Sequence, residues 1–311
     1  MHSHLGLLRG AANVREAMTQ NGMLAIARKI VADLPEIRSL PGGSIQQFRE
    51  PAAGQLAQAF DATLAQMRAQ HKREGLGEIV SVEALDRVVA ERTPAAVIAA
   101  EGGDFIDGKM ERLETARAQG LTHLQLVHYR ISEIGDISTE RPVHNGLTAF
   151  GKEVVSACNR LGILIDVAHG TSAVIEQTLE LSKKPIIYSH GHVSAAQPYF
   201  TQNGARARAI HKPLALRIAQ GGGVIGLWPL GSQYRTVDAY ADALVEAAQS
   251  LGAEHVGVGS DCNGLPSTVL PTYAEFATLP ALLAKRGLKS DEAEAILGNN
   301  YLRVLRQALA G

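Results

Sequence analysis

Residues 161–192, LGILIDVAHGTSAVIEQTLELSKKPIIYSHGH, predict a strand, a turn, a helix and a second strand. Each predicted strand is a short apolar run that stops at a histidine, His169 in the first and His190 in the second. Apolar runs of this kind are typical of parallel strands that helices cover on both faces. In α/β barrels the chemistry lies where such strands end. The two histidines are therefore a candidate metal site, although either one alone could simply cap its strand.

The same pattern recurs along the chain and predicts the fold. Further apolar runs that predict strands lie at 22–31, 95–103, 121–128, 222–229 and 255–261. A helical pattern follows nearly every one, and counting a clipped first strand at the chain start gives eight. This alternation predicts a single α/β domain over residues 1–311, a (β/α)8 barrel of the TIM type. An open doubly wound sheet is the alternative, but the glycine-rich phosphate loop that it would want is absent.

The start of the chain is unusual for a strand. Met1 is followed directly by HSHLGLL, with no apolar residues before His2 to build a strand. We expect that the first strand is clipped, or that the natural chain begins upstream and has lost a strand or a leader. The compartment stays open: cytoplasmic for the chain as it stands, and periplasmic or secreted if a leader has been removed.

The composition argues against several classes of partner. The chain has 30 Lys and Arg against 31 Asp and Glu, with no long run of one sign, so there is no electrostatic footprint for nucleic acid. No apolar run reaches the length of a membrane span. The two cysteines, Cys158 and Cys262, provide neither a disulfide framework nor a paired metal motif.

Metal-binding side chains stand at the ends of six predicted strands. They are His2, His4, Glu101, His128, His169, His190 and Asp261. In a closed barrel these ends meet at one mouth, where imidazoles and carboxylates would ligate two divalent metals of the zinc kind. Glu101 can bridge two ions, which would share a hydroxide made nucleophilic at neutral pH. Asp261 is a candidate general base or acid.

Several segments resemble the membrane (renal) dipeptidases and their bacterial relatives, which are metal-dependent barrels of the amidohydrolase superfamily. The segments are AAEGGDF, LTHLQLVH, GLTAFGKEVVSACNRLGILIDVAH, KKPIIYSH, HVGVGSD and GNNYLRVL. The likeness runs from about residue 95 to the C-terminus and is most specific within 146–190. The resemblance implies a binuclear zinc dipeptidase whose substrate is a small dipeptide.

The resemblance also implies the metal ligands. Glu101 in EGG would be the bridging carboxylate, and His169 and His190 would complete one metal. His2 would bind the other metal. The first motif of the family is usually HxD, and here His4 stands in the place of the aspartate. Because a neutral imidazole removes a negative charge from the ligand set, we expect a more labile second metal and an altered metal preference.

Catalytic and substrate-binding roles follow from the same resemblance. Asp261 would shuttle the proton, and His128 would face the substrate carbonyl and stabilise its oxyanion. Arg208, with Arg206 as its rival, would grip the carboxylate terminus of the substrate with two parallel hydrogen bonds. Relatives tolerate a D-residue at the second position and are often dimers, so a D-residue in the substrate and a homodimer are further implications.

Two other functions remain open. An amidohydrolase could act on another bond, such as that of an N-acyl amino acid or a lactone. A degraded homologue could instead serve as a binding protein, although the retained Asp261 favours an enzyme. Among the remaining residues, His192 could support the proposed ligand His190, but a solvated loop histidine is the favoured interpretation. Asp166 is predicted to point away from the barrel axis if His169 points to the mouth.

Overall fold

Seven parallel strands form the central sheet of the computed structural model, which describes residues 1–4, 7, 13–40, 44–195, 207–265 and 267–310. The sheet order follows the chain order, and every neighbouring pair is parallel. The strands are β1 (Ala25–Val31), β2 (Ala95–Glu101), β3 (Leu121–Gln125), β4 (Leu164–Asp166), β5 (Ile187–Ser194), β6 (Val224–Leu227) and β7 (Val256–Val258). Shorter strands are Ile37–Ser39 paired with Ile45–Gln47, Gly77–Glu78 beside β2, and Ala209–His211 beside β5.

Residues 2–4 fill the place between β1 and β7. Ser3 forms parallel bridges both with β1 and with the segment that follows β7. The Lys29 N–H donates to the Ser3 carbonyl (2.9 Å), and the His4 N–H donates to the Cys262 carbonyl (2.8 Å). A single bridging residue, Ser3, thus occupies the place of the first strand, and it joins the two edges of the curved sheet. The predicted TIM-type barrel is confirmed.

Helices connect the strands, and their starts follow from the sequence. The α-helices are Val14–Gln20, Gln55–Glu74, Val82–Glu91, Met110–Ala118, Ala149–Leu161, Ser172–Leu181, Lys212–Gln220, Gly231–Tyr234, Val237–Leu251, Tyr273–Phe276, Leu279–Lys285, Ser290–Glu294 and Asn300–Leu309. Short 3-10 turns lie at Leu34–Glu36, Asp104–Ile106 and Ala253–His255, and a π-helical turn lies at Ala295–Asn299. The hydroxyls of Ser81, Thr148, Thr171 and Thr236 accept N–H bonds in the first turns that they cap. In the described part of the chain, every helix is too short or too polar to cross a bilayer.

The interior of the barrel is apolar at the end where the strands begin. Small and branched side chains such as Val97 and Ile187 pack there against Tyr301 and Leu305 of the last helix. Above this layer the interior turns polar, with Lys29 and Asp166 fully buried. The barrel therefore buries its polar groups directly beneath the ends of the strands.

The prediction that Asp166 points away from the barrel axis is wrong. Asp166 contacts Lys29 of β1 and His123 of β3 (2.7 and 3.3 Å), and β1 lies three places away in the sheet, so the contact crosses the interior. The prediction extended the alternation of a strand as far as His169. The strand ends at Asp166, however, and His169 has a φ of 71°, in the left-handed region that a strand does not contain.

Other strands also end before their predicted last residue. The last strand, β7, ends at Val258 rather than at Asp261, which has a φ of 47°. The polar residues predicted at strand ends therefore lie mostly in the turns that follow the strands. Those turns form the face on which TIM barrels carry their active sites.

Candidate metal centre and active site

Glu101, the last residue of β2, lies at the centre of the candidate site. Its Oε2 is 3.0 Å from His4 Nε2 and 3.3 Å from His2 Nε2. Its Oε1 is 3.2 Å from His169 Nε2 and 3.4 Å from His190 Nε2. Each carboxylate oxygen thus faces a different pair of imidazoles. This arrangement suits a carboxylate shared by two cations.

The donor atoms fit two divalent metals. Within each pair the Nε2 atoms approach each other, at 3.1 Å for His2 and His4 and at 3.3 Å for His169 and His190. Each pair forms with Glu101 a buried group of three donors close enough to hold one ion. Nitrogen and carboxylate ligands of this kind are those that zinc takes in catalytic sites.

The electrostatics of the site favour bound cations. Burial alone would raise the pKa of Glu101, but the charges of His2 and His128 help to hold it well below its usual range. Burial lowers the pKa of His169 and His190 well below normal, which leaves their imidazoles neutral. Glu101 is therefore anionic, and these histidines keep the neutral form that metal binding requires.

The pKa of His4 is raised, in contrast to that of His169 and His190. Burial would lower the pKa of His4, but its hydrogen bonds to Asp261 and Glu101 outweigh this and raise the pKa to about 10. The two carboxylates therefore favour a positive charge at this position, and a metal ion would provide one.

The second ring nitrogen of three of the histidines is held by the barrel. His4 Nδ1 lies 3.0 Å from the carbonyl oxygen of Lys29. Ser189 Oγ lies 2.8 Å from His190 Nδ1 and 3.4 Å from His2 Nδ1. Such contacts fix the ring and leave Nε2 free for a metal. His169 Nδ1 has no hydrogen-bond partner among the described residues.

His128 is oriented by Asp33, a residue that the sequence analysis missed. His128 Nδ1 lies 2.7 and 3.0 Å from the two oxygens of Asp33, and its Nε2 lies 3.5 Å from Glu101 Oε1. Burial would lower the pKa of His128, but the charges of Asp33 and Glu101 raise it. Asp33 follows the end of β1 by two residues, so its position after a strand is the signal that would have found it.

Asp261 lies beside the pair formed by His2 and His4. Its Oδ1 is 3.3 Å from His4 Nε2 and 3.7 Å from His2 Nε2. Trp228 Nε1–H donates to its Oδ2 (3.2 Å), which aims the carboxylate. A Cβ at Gly264 would lie 2.0 Å from Asp261 Oδ1, so the turn beside this carboxylate needs a glycine.

Arg208 is buried next to the other histidine pair. Its Nη1 lies 2.5 Å from His169 Nε2, and its Nη2 donates to the His190 carbonyl (2.9 Å). Its guanidinium carbon lies 5.2 Å from the ring centroid of Trp228. The structure therefore brings Arg208 to the candidate site, whereas Arg206 lies outside the described residues.

His192 corrects another prediction. It is 7% exposed rather than solvated, and its ring centroid lies 5.6 Å from that of Trp228. Because β5 continues to Ser194, the strand carries His192 into the wall of the site. Tyr129 also contacts the site, with its ring centroid 4.8 Å from that of His169.

Comparison with known families identifies the chain. A model of the membrane dipeptidases, peptidase family M19, matches residues 19–310. The chain belongs to the membrane dipeptidase family. The resemblance found in the sequence is thereby confirmed, and it extends well upstream of residue 95.

Curated relatives within this family are dipeptidases. Dipeptidase tcpJ of Claviceps purpurea is 28% identical over 222 residues, which cover 68% of this chain and 51% of that protein. Dipeptidase 3 of Mus musculus is 30% identical over 246 residues, which cover 74% of this chain and 48% of that protein. The chain thus spans about half the length of these membrane dipeptidase relatives.

Solved structures agree on the fold. An amidohydrolase from Pseudomonas aeruginosa has a TM-score of 0.79 at 19% identity, covering 97% of this chain and 94% of its own. A metallopeptidase from Rhodobacter sphaeroides was solved with a phosphinate mimic of the dipeptide L-Ala-D-Ala. It has a TM-score of 0.78 at 18% identity, and the match covers 94% of this chain and 89% of the metallopeptidase chain. At these identities the likeness establishes the barrel fold alone.

Proposed function

We propose that this protein is a metal-dependent dipeptidase that uses two zinc ions. The observation that carries the proposal is the position of Glu101, whose two oxygens face two separate pairs of histidines. His2 and His4 would hold one ion, and His169 and His190 the other. When bound, the ions would polarise a peptide carbonyl and lower the pKa of water to about 7.

The chain's own side chains would supply the remaining chemistry. Asp261 Oδ1 would accept the proton of the attacking water and deliver it to the nitrogen of the leaving amine. Burial would lower the pKa of His128, but the charges of Asp33 and Glu101 raise it and favour the imidazolium, in which both ring nitrogens carry a proton. With Nδ1–H donating to Asp33, the Nε2–H would donate to the oxyanion that develops on the carbonyl. Both groups are buried in the strand-end face that carries Glu101.

Arg208 would select the substrate by its length. Its guanidinium is the cation beside His169 and His190, and it can bind a carboxylate with two parallel bonds. A free carboxylate one residue beyond the scissile bond would satisfy Arg208, which restricts turnover to dipeptides. A D-residue at the second position is included in the proposal, because the relative from Rhodobacter sphaeroides was solved with a mimic of L-Ala-D-Ala.

Zinc content measured together with dipeptide hydrolysis tests the proposal. Protein purified without chelator should contain about two zinc ions per chain and should hydrolyse L-Ala-L-Ala and L-Ala-D-Ala. Glu101→Gln keeps the shape of the side chain but removes the charge, so it should lose metal and turnover together. Glu111→Gln, a substitution on an exposed helical face, is the matched control and should change neither.

Other outcomes would favour the other two functions. Turnover of N-acyl amino acids or lactones without turnover of dipeptides would contradict the dipeptidase and favour a related amidohydrolase. No metal after zinc is added back, with no turnover of any substrate, would favour a binding protein. The pairing of Asp261 with Trp228 favours the enzyme, because a binding protein has no need of an aimed proton acceptor.

A further inference from the structure

A buried ion pair lies inside the barrel beneath the candidate metal ligands. The ammonium of Lys29 lies 2.7 Å from Asp166 Oδ2, and both side chains are fully buried. His123 Nε2 lies 3.3 Å from the same oxygen, and Tyr301 holds the other ring nitrogen of His123 (3.0 Å). Neither Lys29 nor Asp166 has a role in the proposed reaction.

The other oxygen of Asp166 holds two segments of main chain. Asp166 Oδ1 accepts N–H bonds from Ala168 and Ser189, each 3.0 Å long. Ala168 directly precedes His169, and Ser189 directly precedes His190. One carboxylate oxygen therefore fixes the backbone immediately before both histidines of one candidate metal group.

The other two histidines are tied to the same pair. Ser189, which Asp166 anchors, has its Oγ 2.8 Å from His190 Nδ1 and 3.4 Å from His2 Nδ1. The carbonyl of Lys29 lies 3.0 Å from His4 Nδ1. All four imidazoles that face Glu101 are thus one or two hydrogen bonds or covalent links from Lys29 or Asp166.

We propose that Lys29 and Asp166 are positioning residues that hold the two metal groups in register, an inference that rests on the proposed metal site. A buried carboxylate without a cation is costly, and Lys29 removes that cost. The charged carboxylate then only accepts hydrogen bonds, which matches its N–H partners. Without this anchor, the turn containing His169 and the part of β5 that carries Ser189 and His190 would lose their common support.

Zinc affinity, measured by competition with a chromophoric chelator, tests the role. Asp166→Asn keeps an oxygen that can accept both N–H bonds, but it leaves the Lys29 ammonium with the neutral Gln125 (3.4 Å) in place of its anionic partner. It should therefore weaken zinc binding by about 10- to 100-fold, as substitution beside metal ligands typically does. The double variant Lys29→Met with Asp166→Asn removes the uncompensated charge and keeps the acceptor, so it should recover most of the affinity.

A second double variant separates positioning from stability. Lys29→Met with Asp166→Leu removes the acceptor, and it should bind zinc more weakly than Lys29→Met with Asp166→Asn. If it fails to fold, the single and double asparagine variants still decide the question. Asn300→Ala is the stability control, because Asn300 donates to the carbonyls of Ala253 and Val256 near the start of β7, away from the metal ligands. It should lower the melting temperature and leave zinc affinity unchanged.

Zinc binding by the wild type and by Asp166→Asn separates the positioning role from the proposed function. A wild-type protein that binds no zinc would overturn the proposed function. A wild-type protein that binds two zinc ions, with an Asp166→Asn variant of equal affinity, would overturn only the positioning role. If the Lys29→Met, Asp166→Asn double variant binds zinc no more tightly than Asp166→Asn alone, the positioning role is also overturned. The charge balance between Lys29 and Asp166 would then have no effect on zinc affinity.

Discussion

Among the single residues, His4 is the one that stands in the place of the aspartate of the HxD motif that the family resemblance implies. Replacing His4 with Asp would add a negative charge beside Glu101 and remove the contact with the Lys29 carbonyl. We expect the His4→Asp variant to retain its second zinc longer during dialysis against chelator than the wild type does. His4→Ala is the control and should lose that zinc faster. If the wild type and His4→Asp lose the second zinc at the same rate, the exchange of histidine for aspartate has no effect on how readily this zinc dissociates.

The contact between Asp33 and His128 gives a prediction about turnover. His128→Ala should lower kcat by about 10²–10³-fold, as removal of one oxyanion donor does in other enzymes. Asp33→Asn keeps the hydrogen-bonding shape but removes the charge that holds His128 Nδ1, so kcat should fall by a smaller factor. Steady-state kinetics with L-Ala-D-Ala measure both. An unchanged kcat in both variants would remove His128 from the reaction.

Asp261 should be more important to the rate than Trp228, which aims it. Asp261→Asn removes the proton acceptor, and general acid–base groups contribute about 10²–10⁴-fold to the rate. Trp228→Phe removes only the N–H bond to Asp261 Oδ2, so the loss should be smaller. Zinc content of both variants is the control, because Asp261 also lies close to His2 and His4. A loss of turnover that only follows a loss of zinc would contradict the proton role.

For single residues, the sequence predicted which side chains form the site more accurately than it predicted where those side chains point. Glu101 and His190 could be predicted because both follow the apolar runs of parallel strands, and in a barrel the residues after such runs lie on one face. Asp33 lies two residues beyond the apolar run of β1, so a prediction restricted to the ends of such runs misses it. Asp166 was misoriented because nothing in the sequence shows that a strand ends before the left-handed residue His169.

At the scale of elements, close contact between β5 and the end of β7 depends on a glycine. A Cβ at Gly259 would lie 2.1 Å from the Ser189 carbonyl oxygen and 2.9 Å from His190 Cβ. Gly259→Ala should therefore displace His190, destabilise the fold by about 1–3 kcal/mol as overpacking does, and reduce zinc content. Gly77→Ala is the control, because its nearest neighbour would be at 3.5 Å on an exposed edge. Denaturant unfolding and elemental analysis measure the two effects, and normal zinc content in Gly259→Ala would contradict the link to His190.

The strands themselves could largely be predicted from their apolar runs, because strands buried on both faces require such runs. The first strand could not be predicted in this way. Its place is held by Ser3, which bridges to both neighbours through backbone groups that any residue has. Short helices late in the chain, such as Tyr273–Phe276, depend on tertiary packing more than on a periodic pattern.

At the scale of the whole molecule, metal binding should stabilise the fold. A ligand present at 100 times its Kd stabilises the folded state by about 2.7 kcal/mol if it does not bind the unfolded chain. The proposed ligands come from four different places along the chain, so they are together only when the barrel is folded. We expect the melting temperature to fall with EDTA and recover with added zinc. Glu101→Gln should show little response to either, and an equal response would place the stabilising metal elsewhere.

Two features of the whole molecule stay predictions. They are the single domain over residues 1–311 and the homodimer that the family resemblance implies. Analytical ultracentrifugation of the intact chain measures the second directly.

Ser3 closes the barrel at a seam, where it bridges the two edges of the sheet. Among the described residues, backbone hydrogen bonds of residues 1–4 connect the two edges of the sheet, and His2 and His4 on either side of Ser3 face Glu101 on β2. A metal bound by His2 and His4 would hold the two edges of the sheet together. After its removal, a few backbone hydrogen bonds would remain between these edges. Amide hydrogens along this seam, such as those of Lys29 and His4, should then exchange with solvent faster in the chelated protein, while those of β3 and β4 on the far side keep their protection.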